Sequence, residues 1–340
     1  MPDRYYQPKS TILLTGAGFS KPFGGYLASE MWSIIFNQLN SPDAQRLRGL
    51  LLGELNYERA YDLVMNGARD FGPTEQLAFT SALMAAYSEL DRSIRVHLMN
   101  ESRRIQPLHH FIERFAGKGK ERGFVFTLNQ DVLLERFASH GNGLFQIPAL
   151  NHPDWFSGRL KSQEYPETDI SNPLEFEKVS TNFWGKGTGL DNFLYMKLHG
   201  SYGWKSSKYG KPMVIGYDKA GSIAKEPLLK WYLDIFTEVL STKNITLVVV
   251  GYGFMDRHIN ELIFKAAGTG LQLHVVSPMQ PKDFRNHLQS VAAIAGIVPV
   301  PYGHEIWQML RGYHCTSVEE MVPPNGSALP GAAFFEQVGL

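Results

Sequence analysis

Cysteine is nearly absent, Cys315 being the only one in 340 residues. One thiol excludes an intramolecular disulfide and any zinc ribbon built from several cysteines. An excess of charge is also missing. Lys+Arg and Asp+Glu both number 33, so no overall basic field recruits nucleic acid, and direct nucleic-acid binding is not expected. Long hydrophobic runs are lacking as well. Ile245 to Val250 has the length of a buried strand, far short of the ~20 apolar residues of a membrane span. The start, Met1-Pro-Asp-Arg-Tyr5, has no apolar stretch of the signal-peptide kind. These absences lead us to expect a soluble, cytoplasmic protein with no membrane partner. With 340 residues the chain can bury a large core, as one enlarged domain or as two.

What is present is organised around Ser10-Thr-Ile-Leu-Leu-Thr-Gly-Ala-Gly-Phe-Ser20. The apolar run Ile12 to Leu14 reads as a buried strand, broken by Gly16-Ala17-Gly18, with a helical pattern from about Tyr26. Strand, glycine turn and helix make the first unit of a dinucleotide-binding fold, in which N–H groups face a pyrophosphate. Gly16 allows the tight turn, Gly18 a close approach of phosphate, and Ser20 adds a hydroxyl. A plain strand-to-helix turn explains the same residues, since Lys21 stands where the dehydrogenase fingerprint has its third glycine.

From Gly24 to Ala116 the pattern is mostly helical. Met31, Ile34, Ile35 and Leu39 share one face; a longer helix from about Thr74 to Leu98 carries Leu83, Tyr87, Leu90, Ile94 and Leu98 at steps of three and four. We expect a helical insertion over about 30–116, with Pro42 and Pro73 as loop punctuation. Phe124 to Phe126 then form a short strand, with a helix over Val132 to Ala138, so Thr127, Asn129 and Asp131 sit at a carboxyl end, where open α/β sheets bind ligands. Helix capping by Asp131 or Asn129 is the competing explanation. An irregular loop is expected over about 150–190, rich in Pro, Gly and Ser, with Trp155, Phe156 and Trp184 either covering a ligand or pinning the loop to the core.

Phe193 to Leu198 reads as a strand delivering His199, whose unperturbed pKa of about 6.5 suits proton transfer, although a lone histidine at a strand end is more often structural than catalytic. Pro227 to Leu240 is an amphipathic helix, and Ile245 to Val250 a central parallel strand ending in Gly251-Tyr-Gly253-Phe-Met-Asp256. Gly251 and Gly253 either pack closely or let an adenosine or phosphate lie on the backbone; Asp256 reads as an N-cap. Leu271 to Val276 is a further strand whose end, Ser277, either bonds a ribose hydroxyl or fills a turn before Pro278. Ile297 to Val300 reads as a last edge strand, followed by a helix after Gly303 packing Ile306, Trp307 and Leu310. A core domain over 1–320 thus precedes a tail, 321–340, either disordered or docking on a partner through Phe334 and Phe335.

In their order, Gly16-Ala-Gly-Phe-Ser20, Thr127-Leu-Asn-Gln-Asp131, Leu198-His-Gly-Ser201, Gly251-Tyr-Gly-Phe254 and Ser277 resemble the sirtuin family of NAD-consuming enzymes, over about residues 10–300. The resemblance implies an α/β fold with a Rossmann-like parallel sheet, helices on both faces and a helical insertion. It implies that Gly16, Ala17, Gly18 and Ser20 hold the NAD phosphates. Thr127 accompanies the nicotinamide–ribose pocket of Asn129 and Asp131, His199 is the base, and Gly251, Gly253 and Ser277 contact the adenosine half. A single cysteine cannot build the four-cysteine zinc module of the deacylases, and Gly24 to Ser29 has no arginine in place of their Asp-Phe-Arg stretch. The chain more closely resembles the sirtuin-like NADases of bacterial anti-phage defence. That likeness implies NAD as substrate, no zinc, a homo-oligomer, and a partner such as a HerA-type ATPase or an Argonaute-like protein. A deacylase, an ADP-ribosyltransferase or a non-enzymatic sensor of an ADP-ribose-type nucleotide are the alternatives.

Overall fold

The computed structural model describes residues 4–41, 44–137, 144–149, 168–169, 173–207, 211–216, 219–290, 299–323 and 332–340. Nine strands lie in chain order among them: β1 (Gln7–Pro8), β2 (Thr11–Thr15), β3 (Glu121–Thr127), β4 (Thr168–Asp169), β5 (Phe193–Lys197), β6 (Trp204–Lys205), β7 (Thr246–Val250), β8 (Gln272–Ser277) and β9 (Leu310–Cys315). Seven form one sheet in which every pairing is parallel, with β5-β3-β2-β7-β8-β9 side by side and short β1 added to β3. β4 and β6 make a separate two-stranded pair.

Parallel sheets need cover on both faces, and the strands show it: all five residues of β2, β5 and β7 are buried. This is an α/β, Rossmann-like architecture. Starting from β2, the chain moves outward to β3 and β5, then returns to lay β7 on the other side of β2. The order reverses between β2 and β7, and a topological switch point of this kind opens a crevice at the strands' carboxyl ends. Gly16 and Gly251 stand at that crevice, one after each strand.

Between β2 and β3, after the short helix Ala17–Ser20, lie the helices Ala28–Gln38, Gln45–Gly53, Tyr57–Met65, Pro73–Asn100 and Ile105–Glu113. The apolar stripe of the long one is buried at Leu83, Tyr87, Leu90, Ile94 and Leu98. Pro73 is its first residue rather than loop punctuation, a position where the missing N–H costs nothing. Pro42, Trp155, Phe156 and most of the 150–190 loop lie outside the described residues. The described part of that loop is less irregular than expected, since helix Pro173–Thr181 and β4 fall within it. Trp184 pins the loop to the core: it is buried edge-on against Phe124 at 5.9 Å, and its Nε1 donates to Glu238 at 2.9 Å.

The last strand is not where the sequence placed it. Ile297 and Val298 lie outside the described residues, and Pro299 and Val300 join no strand. The edge is β9, whose half-buried Leu-Arg-Gly-Tyr-His-Cys sequence follows a helix ending at Gln308. The C-terminal helix Ala332–Gln337 docks on this chain's own core. Phe335 meets Phe111 at 6.1 Å, and the Val338 carbonyl accepts from Thr11 Oγ1 at 2.6 Å.

Candidate functional site

The site is built where three strands end. After β3 the chain turns through Leu128-Asn-Gln-Asp131 into helix Leu133–Phe137. Thr127 Oγ1 accepts the Asn129 N–H (3.1 Å) and lies 2.8 Å from Thr15 Oγ1, which ties the ends of β2 and β3 together. Asn129 Nδ2 donates to the Gly16 carbonyl and to Ser20 Oγ, both at 3.0 Å. Ser20 Oγ donates to Asp131 Oδ2 at 2.7 Å, while Oδ1 of the same carboxyl caps the helix through the Leu133 N–H at 3.0 Å. Asp131 thus fills the capping role weighed for it. Ser20, Asn129 and Asp131 form one buried, hydrogen-bonded cluster beside the switch point.

A buried ion pair holds this loop from behind. Lys197, the last residue of β5, meets Glu135 at 2.7 Å, both side chains being fully buried, and its Nζ also bonds the Asp131 carbonyl. Burial pushes the Glu135 carboxyl up, and Lys197 opposes that shift. Tyr195 Oη adds a 3.3 Å bond to the same carboxylate.

His199 follows directly and is 1% exposed. Its Nε2 lies 3.1 Å from Nε2 of His258, and the Leu128 backbone favours its protonated form. Burial pushes the imidazole down to about 3; Asp256 opposes the shift, and Lys219 and His258 add to it. The ring is therefore neutral at pH 7, with little intrinsic basicity. Asp256 stands at the N-cap position of helix Arg257–Ala266 but makes no capping bond; its carboxylate turns to Lys219 at 2.7 Å. Lys219 also meets Glu58 of helix Tyr57–Met65 at 2.8 Å, so the helical insertion reaches the site. Burial would raise the Asp256 carboxyl, yet Lys219 and the two imidazoles hold it well below the usual range.

Against protein-family models and curated proteins, the chain finds no match.

The glycines divide into two kinds. A Cβ on Gly16 would stand 2.8 Å from the Gly251 carbonyl oxygen, one on Gly18 2.9 Å from the Gly251 Cα, and one on Gly251 2.2 Å from the Phe19 nitrogen. The two turns pack backbone on backbone across the switch point, and the Gly18 N–H donates to the Gly251 carbonyl at 2.9 Å. Gly253 is different, because a Cβ there meets nothing nearer than 4.0 Å. Ala17 is the exposed residue of the first turn. Ser277 lies at the same sheet edge beyond β7, apart from the Ser20 cluster, and its Oγ accepts the Met279 N–H at 3.3 Å in a turn.

The structure thus brings together Gly16, Gly18, Ser20, Thr127, Asn129, Asp131 and Gly251, whereas the His199 ring pairs with His258. Sequence reasoning missed Glu58, Glu135, Lys197, Lys219 and His258. The one local signal was Asp256-Arg-His258 following a glycine turn; the contact it makes crosses 59 positions of chain.

Proposed function

We propose that this chain hydrolyses NAD⁺ at the nicotinamide–ribose bond, giving nicotinamide and ADP-ribose. The observation that carries the reading is the Ser20–Asn129–Asp131 cluster at the switch-point crevice of a parallel sheet, with a neutral imidazole beside it. Open α/β sheets bind dinucleotides across such a crevice. When the C–N bond breaks, its electron pair leaves with nicotinamide and positive charge develops on the ribose. Catalysis then needs nearby negative charge and a positioned water. Asn129 and Asp131 supply the polar contacts for ribose and water. The proton released as water adds goes to His199 and from there to solvent, with Asp256 stabilising the imidazolium. The sirtuin-like resemblance extends the reading to NAD depletion in anti-phage defence, by a homo-oligomer gated by a HerA-type ATPase or an Argonaute-like partner. The balanced charge suits a chain that leaves nucleic acid to such a partner.

A second reading, a non-enzymatic sensor of an ADP-ribose-type nucleotide, is favoured by one observation: the His199 Nε2 faces His258 in a ring that is 1% exposed. Incubating the purified chain with NAD⁺, alone and with the proteins encoded beside it, and weighing the products separates the two. Equimolar nicotinamide and ADP-ribose are expected. Intact NAD⁺ in both mixtures, with calorimetric binding of nucleotide, would leave the sensor.

A further inference from the structure

Three side chains from two distant stretches bring nitrogen and oxygen atoms close together beyond the ends of β5 and β7. His199 follows β5, whereas Asp256 and His258 follow β7, and β3 and β2 lie between those strands. One ligand atom from each, two imidazole nitrogens and a carboxylate oxygen, lie within 4.8 Å of one another. The two Nε2 atoms are 3.1 Å apart. Two nitrogens bound to one zinc ion at about 2.0–2.1 Å and a tetrahedral angle stand about 3.3 Å apart, so the imidazoles already hold the separation such an ion imposes.

The surroundings have the character of a metal site's outer layer. A histidine that ligates an ion usually has its other nitrogen held by a carbonyl or carboxylate, and the Leu128 backbone is the group that favours the charged His199 ring. A ligating carboxylate is in turn fixed by hydrogen bonds, and Lys219 grips Asp256 at 2.7 Å. Glu58 balances Lys219, which leaves the Asp256 charge to attract a cation.

We propose that His199, Asp256 and His258 bind one divalent first-row transition-metal ion of the zinc class. In the metal-free chain the facing Nε2 atoms share one proton. On binding, that proton moves to Nδ1 of His258, both lone pairs face the ion, and a side-chain torsion brings in the carboxylate. Three protein ligands leave a fourth position for water. On the hydrolase reading, on which this consequence rests, the ion takes the lone pair that would accept the proton. The loaded chain is then the inactive form.

The test uses the full chain, stripped with chelator and titrated with Zn²⁺ against a chromophoric chelator. One equivalent per chain is expected. Asp256→Asn and His258→Ala, each checked for folding by circular dichroism, should weaken binding ~10-fold or more, whereas Cys315→Ser and His304→Ala should not. Asp256→Asn carries the test should His258→Ala fail to fold. No stoichiometric binding by the wild type, or unchanged binding in the folded variants, would overturn the site. In the second arm one equivalent of Zn²⁺ should slow NAD⁺ cleavage and chelator should restore it. Zinc held by these residues in a chain that never cleaves NAD⁺ would sink the hydrolase reading and leave the site standing. Cleavage at full rate with zinc bound would overturn the inhibitory role.

Discussion

His199 is held neutral by its own burial. The same burial links it to stability. Its folded pKa of about 3 lies below the unfolded value of about 6.5, so between these the unfolded chain binds more protons. The stability tied to His199 is therefore complete above about pH 6.5 and is lost as pH falls toward 3. Glu58 and Glu135, both pushed up by burial, act with the opposite sign at mildly acid pH, so the informative quantity is a difference. Urea unfolding from pH 7.5 to 5 should show that His199→Gln loses less stability on acidification than the wild type. Identical losses would contradict the buried, neutral imidazole. Behind the site, removing one partner of the buried Glu135–Lys197 pair should be severe. Lys197→Met is expected to cost ~3–5 kcal/mol by urea unfolding, because Glu135 loses its buried cation, while adding Glu135→Leu should recover much of it. His199, Asn129 and Asp131 were legible in the sequence because a polar residue just after an apolar strand stands out. Glu135, Lys197 and His258 were not, because on a helix or strand they read as ordinary surface charge, and only tertiary contact reveals their partners.

The glycine turns after β2 and β7 act as one element, each filling the space that the other's missing Cβ leaves open. Gly251→Ala would bring its Cβ within 2.2 Å of the Phe19 nitrogen at a φ of +67°, so both space and conformation oppose it. We expect a loss of roughly 2 kcal/mol or more in thermal or urea unfolding. Gly253→Ala, two positions on, should fall within about 1 kcal/mol of the wild type, because it faces open space. Equal losses at the two positions would contradict the packing. Apolar runs made β2, β3, β5, β7 and β8 legible, since strands buried on both faces carry no competing pattern. β9 was not legible: an edge strand covered on one side keeps Arg311 and His314 among its residues, and the preceding helix masks its start. The tail's role was open in sequence because Phe334 and Phe335 lack a period long enough to show which surface covers them.

At the scale of the whole molecule, the chain folds out from β2 on one side and returns on the other, and everything placed at the site follows from that reversal. The parallel α/β architecture was legible as strands alternating with helical patterns. The crossing of His199 to His258 was not, because it depends on strand order. The central claim is that this crevice cleaves NAD⁺ with His199 as base, and single-turnover cleavage by His199→Ala beside calorimetric NAD⁺ binding tests it most directly. The account predicts a fall in rate of ~10²-fold or more with affinity changed far less, because the imidazole acts on the proton and not on the phosphates. A folded His199→Ala chain that cleaves NAD⁺ at the wild-type rate would contradict it.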